Sequence, residues 1–233
     1  MSCVVLRLSS PMQSWGIQSR FNYRDTLRYP SKSGVIGLIC SALGRPRTEP
    51  LNDLSDLKMV ARIDHEGVYS VDYQTAGGGK FNGKEYCAIN ANGKHDTKNN
   101  AITSYRYYLA DAEFHVAFEG NINTLEMIKN AFKKPKWLLF LGRKTFVPTL
   151  PIFKGVYEEN AIEVFKEIPW RQKFDWQNIP EKLQLIVECD YNEGDTFLTD
   201  NPISFNHDKR EYSVRYIKHD YIDNPNFIKD KNK

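Results

Sequence analysis

Closely spaced cysteines are absent from the sequence. Its four cysteines lie far apart and form no CxxC pair: Cys3, Cys40, Cys87 and Cys189. A zinc site or a disulfide framework requires denser spacing. We therefore interpret all four as reduced thiols, mostly buried, and expect no metal and no cofactor.

Long apolar runs are also absent. No stretch of about eighteen apolar residues occurs, so no membrane span is expected. The first residues lack the basic leader, apolar core and small-residue cleavage site of a secretory signal. With 41% hydrophobic and 26% charged residues, the composition is typical of a globular protein, and we expect a cytoplasmic one.

Common enzyme signatures are missing as well. The sequence contains no GxxxxGK[ST] phosphate loop and no GxSxG nucleophile elbow. The consecutive glycines Gly77, Gly78 and Gly79 lack the strand-to-helix context of a dinucleotide site. These absences argue against the most frequent nucleotide-binding and acyl-transfer chemistries.

Charge is present but unevenly distributed. The chain has a net charge of +3, yet residues 1–48 contain seven lysines or arginines and a single acid, so this segment is +6 and the remainder −3. A local basic excess can mark a surface that binds a polyanion. A solvated cationic surface explains the same charges, and charge alone leaves both interpretations open.

The N-terminal segment alternates strand and helix patterns. Residues 3–9 are apolar and β-branched, which predicts a buried strand. A polar and aromatic loop follows at 10–30. Apolar residues then recur at helical spacing from an N-cap at Ser31 or Ser33 until Gly44 ends the predicted helix.

Further strand and helix patterns continue along the chain. Residues 57–64 and 68–73 predict two strands joined as a short hairpin. Residues 114–119 alternate as a strand does, 123–133 carry the apolar stripe of a helix, and 137–141 predict a buried strand.

The order of these elements approximates a β-α-β-β-α-β pattern. It predicts an α+β fold, a ferredoxin-like or RRM-like RNA-binding domain at 1–150. Residues 76–100 are rich in glycine, asparagine and lysine, which predicts an inserted, mobile hairpin. Strand-like runs at 183–189 and 211–217 predict a smaller β-rich part at 151–233.

Several sequence stretches together resemble one known family. They read PMQSWG at 11–16, PSKSG at 30–34, YLADA at 108–112 and LGRK at 141–144. In combination they resemble the CasD-type subunits of the type I-E CRISPR Cascade, a branch of the fifth CRISPR-associated protein family. The resemblance spans about residues 3–155, roughly two thirds of the chain.

The resemblance implies a structural role in antiviral defence. Such subunits cap one end of the Cascade backbone and hold the 5′ handle of the CRISPR RNA. They contact the neighbouring backbone subunit and the large PAM-reading subunit, and meet target DNA only indirectly, through the complex. They carry a thumb-like hairpin inserted in a ferredoxin-like body, and the segment at 76–100 lies where that thumb is expected. No membrane partner is implied.

Eight residues are candidates for RNA binding. Arg24, Arg28 and Lys32 recur every four residues, and each can neutralise a phosphate. Ser33 lies at a helix start, where backbone N–H groups and the helix dipole favour an anion. The complete predicted set is Gln13, Arg24, Arg28, Lys32, Ser33, Arg106, Arg143 and Lys144.

Plainer roles for some of these residues remain open. Arg28 and Lys32 can be solvated surface charges, and Ser33 a simple helix cap. Arg106, set among tyrosines, suits stacking and phosphate pairing, or it covers aromatic surface on an edge strand. Trp15 and its neighbour Gln13 can contact bases, although a tryptophan after a strand is more often structural.

Catalysis is the main alternative, because some relatives from another Cascade subtype cut precursor RNA. Metal-free cleavage needs a positioned base, an acid and a cation. His115 is expected to face outward from its strand, His95 lies in the segment predicted to be mobile, and His219 is the best remaining candidate. We predict no catalytic residue, with a metal-independent endoribonuclease as the alternative.

Overall fold

The computed structural model describes residues 1–78, 80–81, 84–85, 93 and 101–227. Within these residues the helices are α1 (Lys32–Leu43), α2 (Asn52–Ser55), α3 (Ile122–Lys133) and α4 (Ala161–Glu167). The strands are β1 (Ser2–Ser9), β2 (Met12–Gln13), β3 (Tyr23–Arg24), β4 (Lys58–His65), β5 (Val68–Ala76), β6 (Lys80–Phe81), β7 (Lys84–Glu85), β8 (Ile102–Ala110), β9 (Glu113–Gly120), β10 (Phe153–Tyr157), β11 (Lys182–Cys189), β12 (Thr196–Ser204) and β13 (Glu211–Asp223).

A seven-stranded sheet forms the body of the protein. Its strand order is β10-β1-β9-β4-β11-β13-β12, and every neighbouring pair is antiparallel. The apolar, β-branched β1 lies between β10 and β9, which is consistent with its burial on both faces. The strands predicted around residues 3–9, 114–119, 183–189 and 211–217 are all confirmed.

Hydrophobic side chains cover the sheet on both faces. On one face α1 and α3 pack against alternate residues of the central strands, such as Leu6 and Phe118. On the other face α4 packs against the intervening residues, such as Val5 and Ala117. Full burial of one such aliphatic or aromatic side chain contributes about 1.5–3 kcal/mol, so both layers stabilise the sheet.

Both long predicted helices are confirmed. α1 begins at Lys32 after Ser31, which has the extended backbone of an N-cap residue. It ends at Gly44, whose φ of +68° favours glycine and whose N–H bonds to carbonyls of the last turn. α3 begins after Asn121, whose side chain accepts a hydrogen bond from the backbone N–H of Asn123.

A smaller four-stranded sheet lies beside the body. In it β8 pairs with β2 and β5 in antiparallel fashion and with β3 in parallel. The prediction that 57–64 and 68–73 form one hairpin is therefore wrong, although both strands exist. The reason is burial: β4 is buried on both faces between β9 and β11, whereas β5 is mostly exposed and, among the described strands, pairs with β8 alone.

The predicted strand at 137–141 is also absent. This stretch runs as irregular chain along the C-terminal end of α1, where the N–H of Trp137 bonds to the carbonyl of Ser41. Leu141 is buried, but Leu138 is 88% exposed, so the apolar run is only partly core. The edge of the sheet beside β1 is occupied instead by β10.

The C-terminal strands extend the main sheet rather than forming a sheet of their own. β11 pairs with β4, and β13 and β12 follow outward. β10 lies beyond residue 150 and pairs with β1. The division of the chain at residue 150 stays a prediction. The predicted insertion at 76–100 lies largely outside the described residues. No helix among the described residues is long and apolar enough to cross a membrane.

The described cysteines are free thiols. Cys3 and Cys40 are buried and Cys189 is half-buried, while Cys87 lies outside the described residues. Burial raises the pKa of Cys3 to about 12 and that of Cys40 to about 11, so both thiols are protonated at neutral pH. The prediction of reduced, structural cysteines agrees with this arrangement.

Candidate nucleic-acid interface

A concave surface lies between the smaller sheet and the N-terminal end of α1. We call it the central cleft; it has a volume of about 420 Å³. Its walls come from the loop after β1, from β3, from β8, from the first turn of α1 and from the turn at 142–143. Its lining residues are Ser14, Trp15, Gly16, Ser19, Arg24, Asp25, Ser31, Gly34, Arg106, Gly142 and Arg143.

Strand register separates arginines from tyrosines on the smaller sheet. Arg24 pairs with Arg106 and Tyr23 with Tyr105 in the parallel β3–β8 ladder. Because successive side chains of a strand point to opposite faces, the two arginines face the cleft and the two tyrosines face away. Tyr23 and Tyr105 stack with ring centroids 5.3 Å apart on the far face.

Arg143 brings a third cation to the central cleft. Its Nη2 donates to the carbonyl of Tyr107 at 2.7 Å, and its guanidinium lies 5.3 Å from the ring centroid of Phe146. Its Nη1 is buried and has no partner within the described part of the chain. Burial lowers the pKa of Arg143; the charges of Arg106 and Arg24 act in the same direction, and the charge of Asp72 opposes them.

The turn that carries Arg143 depends on glycine. Gly142 has a φ of +95°, and a Cβ added there would lie 1.9 Å from the carbonyl oxygen of Ser14. The loop after β1 and the turn at 142–143 therefore approach each other more closely than any side chain allows. This contact fixes one wall of the cleft.

Among the described residues one acid lines the central cleft, and it is already engaged in hydrogen bonds. Asp25 accepts hydrogen bonds from the Ser19 hydroxyl at 2.6 Å and from the backbone N–H of Gln18 at 3.1 Å. Neither the Arg24 nor the Arg106 side chain forms an ion pair within the described residues. Sequence reasoning did not select Asp25 as a site residue, although it is the single acid of residues 1–48 and was counted as such.

Lys32 is not at the cleft surface, which corrects its predicted contact with phosphate. Its side chain is 1% exposed, and Nζ donates to Glu188 and to the carbonyl of Ser55, each at 2.8 Å. Burial lowers the pKa of Lys32, and the adjacent Glu188 opposes that shift. Its backbone N–H donates to Asp200, which also pairs with Arg215. Lys32 therefore joins α1 to the C-terminal strands.

Gln13 is also structural rather than exposed to a ligand. Its side chain is fully buried, and Nε2 donates to the carbonyls of Leu8 and Ala112 at 3.1 and 2.8 Å. Its Oε1 accepts a hydrogen bond from the indole of Trp15, which is 1% exposed. The predicted base contact of Gln13 is incompatible with this burial, and the structural role of Trp15 is confirmed.

The remaining predicted residues are dispersed. Arg28 is exposed and lies 5.6 Å from the ring centroid of Tyr69, outside the lining of the central cleft. Ser33 is half-buried and lines a neighbouring cleft. Lys144 is exposed beyond the cleft wall. Of the eight predicted residues, the central cleft thus brings together Arg24, Arg106 and Arg143.

None of the histidines that the structure describes lines the central cleft. His115 was expected to face outward, but it is 3% exposed, and its Nδ1 lies 2.8 Å from Asp64 Oδ2. The prediction failed because α4 and the chain after it cover this face of the sheet. His219 is exposed on β13, and His95 lies outside the described residues. The described residues contain no cluster of three or more His, Cys, Asp or Glu side chains that could hold a metal.

A mixed α/β body with a concave cationic cleft defines a class of protein suited to an anionic ligand. The chain belongs to the CRISPR-associated Cas5 family: the model of that family, described as CRISPR-associated protein (Cas_Cas5), matches residues 3–218. The resemblance inferred from the short sequence stretches is thereby confirmed.

Individual relatives agree with this family. The chain is 32% identical over 168 residues to the CRISPR system Cascade subunit CasD of Escherichia coli (strain K12), covering 66% of this chain and 70% of that protein. A solved chain of a CRISPR RNA-guided surveillance complex matches with a TM-score of 0.81 and 36% identity, covering 96% of this chain and 91% of that one. A crystal structure of a Cas protein matches with a TM-score of 0.71 and 33% identity, covering 95% of both chains.

Proposed function

We propose that this chain is a non-catalytic subunit of a cytoplasmic Cascade-type CRISPR surveillance ribonucleoprotein, and that its central cleft holds the 5′ handle of the CRISPR RNA. The subunit caps one end of the backbone and contacts the adjoining backbone subunit and the large PAM-reading subunit. Membership of the Cas5 family supports the assembly. The likeness to a chain of a surveillance complex over 96% of the sequence supports it further.

One observation supports the RNA contact: three guanidinium groups converge and none forms an ion pair within the described residues, although Asp72 lies opposite Arg106 on β5 and partly offsets their charge. Arg24, Arg106 and Arg143 line one cleft, and the acid among its described lining residues, Asp25, is held by its own loop. Arginine pairs bidentately with phosphate oxygens, and a cluster of arginines gains binding energy when an anion relieves its mutual repulsion.

The N-terminus of α1 adds to the positive electrostatic potential of the central cleft. Ser31 and Gly34 line the cleft, so the first turn of α1 faces it. The first N–H groups of a helix lack partners within the helix, and the helix dipole favours an anion there. Asp200 already accepts from the N–H of Lys32. The remaining N–H groups of that turn are the donors we assign to phosphate.

The body of the subunit is proposed to be ferredoxin-like. The segment of the sheet formed by β10, β1, β9 and β4 has the order fourth, first, third, second when these strands are numbered along the chain. With α1 after the first and α3 after the third, this corresponds to the β-α-β-β-α-β arrangement. In this proposal the strands β5 and β8 form the base of the thumb.

Catalysis is not part of the proposal. The lining of the central cleft offers three arginines and one aspartate as its charged groups, and metal-free cleavage of RNA also needs a positioned general base and a general acid. The alternative of a metal-independent endoribonuclease is testable directly. Purified protein incubated with labelled repeat RNA in EDTA should leave it intact, whereas one discrete cut would establish the alternative.

RNA binding is tested by removing charge from the cleft. Arg24→Ala with Arg106→Ala should weaken binding of single-stranded handle RNA, measured by fluorescence anisotropy across salt concentrations. Each lost phosphate contact should reduce the slope of log K against log salt by about 0.7, so by about 1.4 in total. Arg20→Ala is the matched control, because Arg20 belongs to the same loop but does not line the cleft.

The outcomes are distinct. A reduced slope in the cleft variant together with an unchanged slope in Arg20→Ala supports the assignment. Equal effects in both would mean that the loop attracts RNA only through its overall charge. An unaltered slope in the cleft variant would contradict the proposal.

A further inference from the structure

A second concave surface adjoins the central cleft along the side of α1. We call it the lateral cleft; it has a volume of about 370 Å³. Gly34 and Gly142 line both clefts, so the two surfaces meet at these glycines without an intervening side chain. A chain bound in one cleft can therefore pass directly into the other.

Exposed aromatic rings form part of the lateral cleft. Trp137 is 51% exposed and Tyr212 is 37% exposed, and both line the cleft. The backbone N–H of Trp137 bonds to the carbonyl of Ser41 at 3.2 Å, which holds the indole beside α1. Rings that are anchored through the backbone and left open to solvent are suited to stacking with a planar group.

The lateral cleft also contains cations without acidic partners. Arg45 is neutralised by Asp53, with two hydrogen bonds of 2.6 and 2.7 Å. Within the described part of the chain, Arg47 contacts the ring nitrogen of His207 at 3.1 Å and pairs with no acid, and Arg210 forms no ion pair either. Arg47 and Arg210 therefore keep their full charge for a ligand.

The helix floor of the cleft is open at Gly37. A Cβ added at Gly37 would meet no atom within 4 Å, and the backbone there is ordinary helix. Glycine destabilises a helix interior relative to alanine, and neither packing nor a positive φ requires it at this position. The absence of a side chain has the effect of keeping the lateral cleft deep.

We propose that the lateral cleft binds a further nucleotide of the same RNA, with the base against Trp137 and Tyr212 and the phosphate between Arg47 and Arg210. This inference rests on the proposed function of the central cleft, and it extends the RNA path past Gly34 and Gly142.

Two observations favour a nucleotide over a peptide as the occupant. The cleft combines uncompensated guanidinium groups with open aromatic rings, and a nucleotide supplies both the anion and the planar group. It is also continuous with a cleft of the same charge. A peptide segment from a neighbouring subunit would need an acidic residue and an aromatic one at matching positions.

The inference is tested on the full-length chain with single-stranded RNA of about ten nucleotides, within the site sizes known for single-strand binding domains. Gly37→Leu should fill the cleft, since its Cβ meets no atom within 4 Å, and Arg210→Ala removes one cation. Each should weaken RNA binding about tenfold, the effect of one lost stacking or phosphate contact. Lys209→Ala is the matched control for charge, because Lys209 is adjacent in sequence but does not line the cleft.

Two further measurements separate a binding role from a structural one. Trp137→Ala should lose affinity, and Trp137→Phe should retain most of it, since phenylalanine still stacks. Photocrosslinking of RNA that carries 4-thiouridine, followed by mass spectrometry, should locate a crosslink at Trp137 or Tyr212. Thermal melting of Gly37→Leu should match or exceed that of the wild type.

Three other outcomes would contradict the lateral site, the nucleotide as its occupant, or the proposed function. If Gly37→Leu and Arg210→Ala bind RNA like the wild type while Arg24→Ala with Arg106→Ala is weakened, the lateral site is refuted and the proposed function stands. If the variants bind RNA normally but lose a neighbouring subunit on purification, the occupant is protein and the inference is wrong. If the wild type binds no RNA, alone or in its complex, the proposed function fails as well.

Discussion

Lys32→Met is the substitution that best separates a surface role from a core role for the basic N-terminal segment. Methionine retains the aliphatic stem of lysine but removes the ammonium group that lies 2.8 Å from Glu188 and from the Ser55 carbonyl. The Glu188 carboxylate then loses its nearest cation. It retains the N–H of Met59 at 3.0 Å and Arg215 Nη1 at 3.8 Å.

The expected loss follows from this geometry. Removing one partner of a buried ion pair costs about 3–5 kcal/mol. Because Glu188 is 17% exposed and keeps two other contacts, we expect the lower end of that range, about 3 kcal/mol. At about 2–4 °C per kcal/mol for a chain of this size, the melting temperature should fall by about 6–12 °C.

The assay combines thermal melting by circular dichroism with the salt dependence of RNA binding. Lys32→Met should lower the melting temperature and leave the salt slope unchanged. Lys134→Met, at an exposed lysine that forms no ion pair with any described residue, should change stability by less than about 0.5 kcal/mol. Replacing both partners in Lys32→Met with Glu188→Leu should recover part of the loss, because no carboxylate is then left unpaired.

One result would refute this reasoning. If Lys32→Met melts like the wild type but its salt slope falls by about 0.7, the value for one phosphate, then the lysine contacts RNA. The sequence-based prediction would be right, and the buried pair with Glu188 would not describe the protein in solution.

Three further perturbations test other parts of the structure. Gly142→Ala would bring a Cβ to 1.9 Å from the Ser14 carbonyl oxygen, so melting temperature and RNA affinity should fall together; unchanged melting would show that the turn shifts freely. Acid should destabilise the fold, because burial lowers the pKa of His65 below its ordinary 6.5. Burial alone would raise the pKa of Glu113, but its basic partners outweigh burial and hold it below 4.5. As pH falls, His65 and Glu113 are protonated in the unfolded chain before they are protonated in the folded one. The free energy of unfolding should therefore decline below about pH 6.5 and more steeply below about 4.5. A melting temperature that stays constant from about pH 7 to about pH 4 would contradict this. Asn121→Ala removes the N-cap of α3 and should cost about 1 kcal/mol, read as a melting shift of about 2–4 °C; no shift would mean that the cap contributes little.

Features with local signals were predictable from sequence. The helix from Lys32 to Leu43 follows from its apolar spacing and from Gly44, whose left-handed backbone ends it. The strand at 2–9 follows from its β-branched residues. The family was recognisable because short motifs at the start of the chain and around 141–144 combine in one sequence.

Features that depend on distant partners were not predictable. Residues 137–141 are as apolar as a buried strand, but no sheet edge remains for them beside β1. The strands β4 and β5 follow each other in sequence and yet join different sheets, because one is covered on both faces and the other is not. Apolar composition specifies burial, and strand pairing is decided by what else competes for each edge.

The same distinction applies to the candidate site. The sequence alone determined that the N-terminal segment is basic, that α1 begins near Ser31, and that the chain is a member of the Cas5 family. Only the tertiary structure decided which cations face a ligand: it buries Lys32 against Glu188 and gathers Arg24 and Arg106 with the turn at 142–143. The physical reason is that a long cationic side chain can be solvated at the surface or paired with a buried carboxylate, and the fold decides whether a carboxylate is within reach. For Lys32 that carboxylate belongs to Glu188, 156 residues away along the chain.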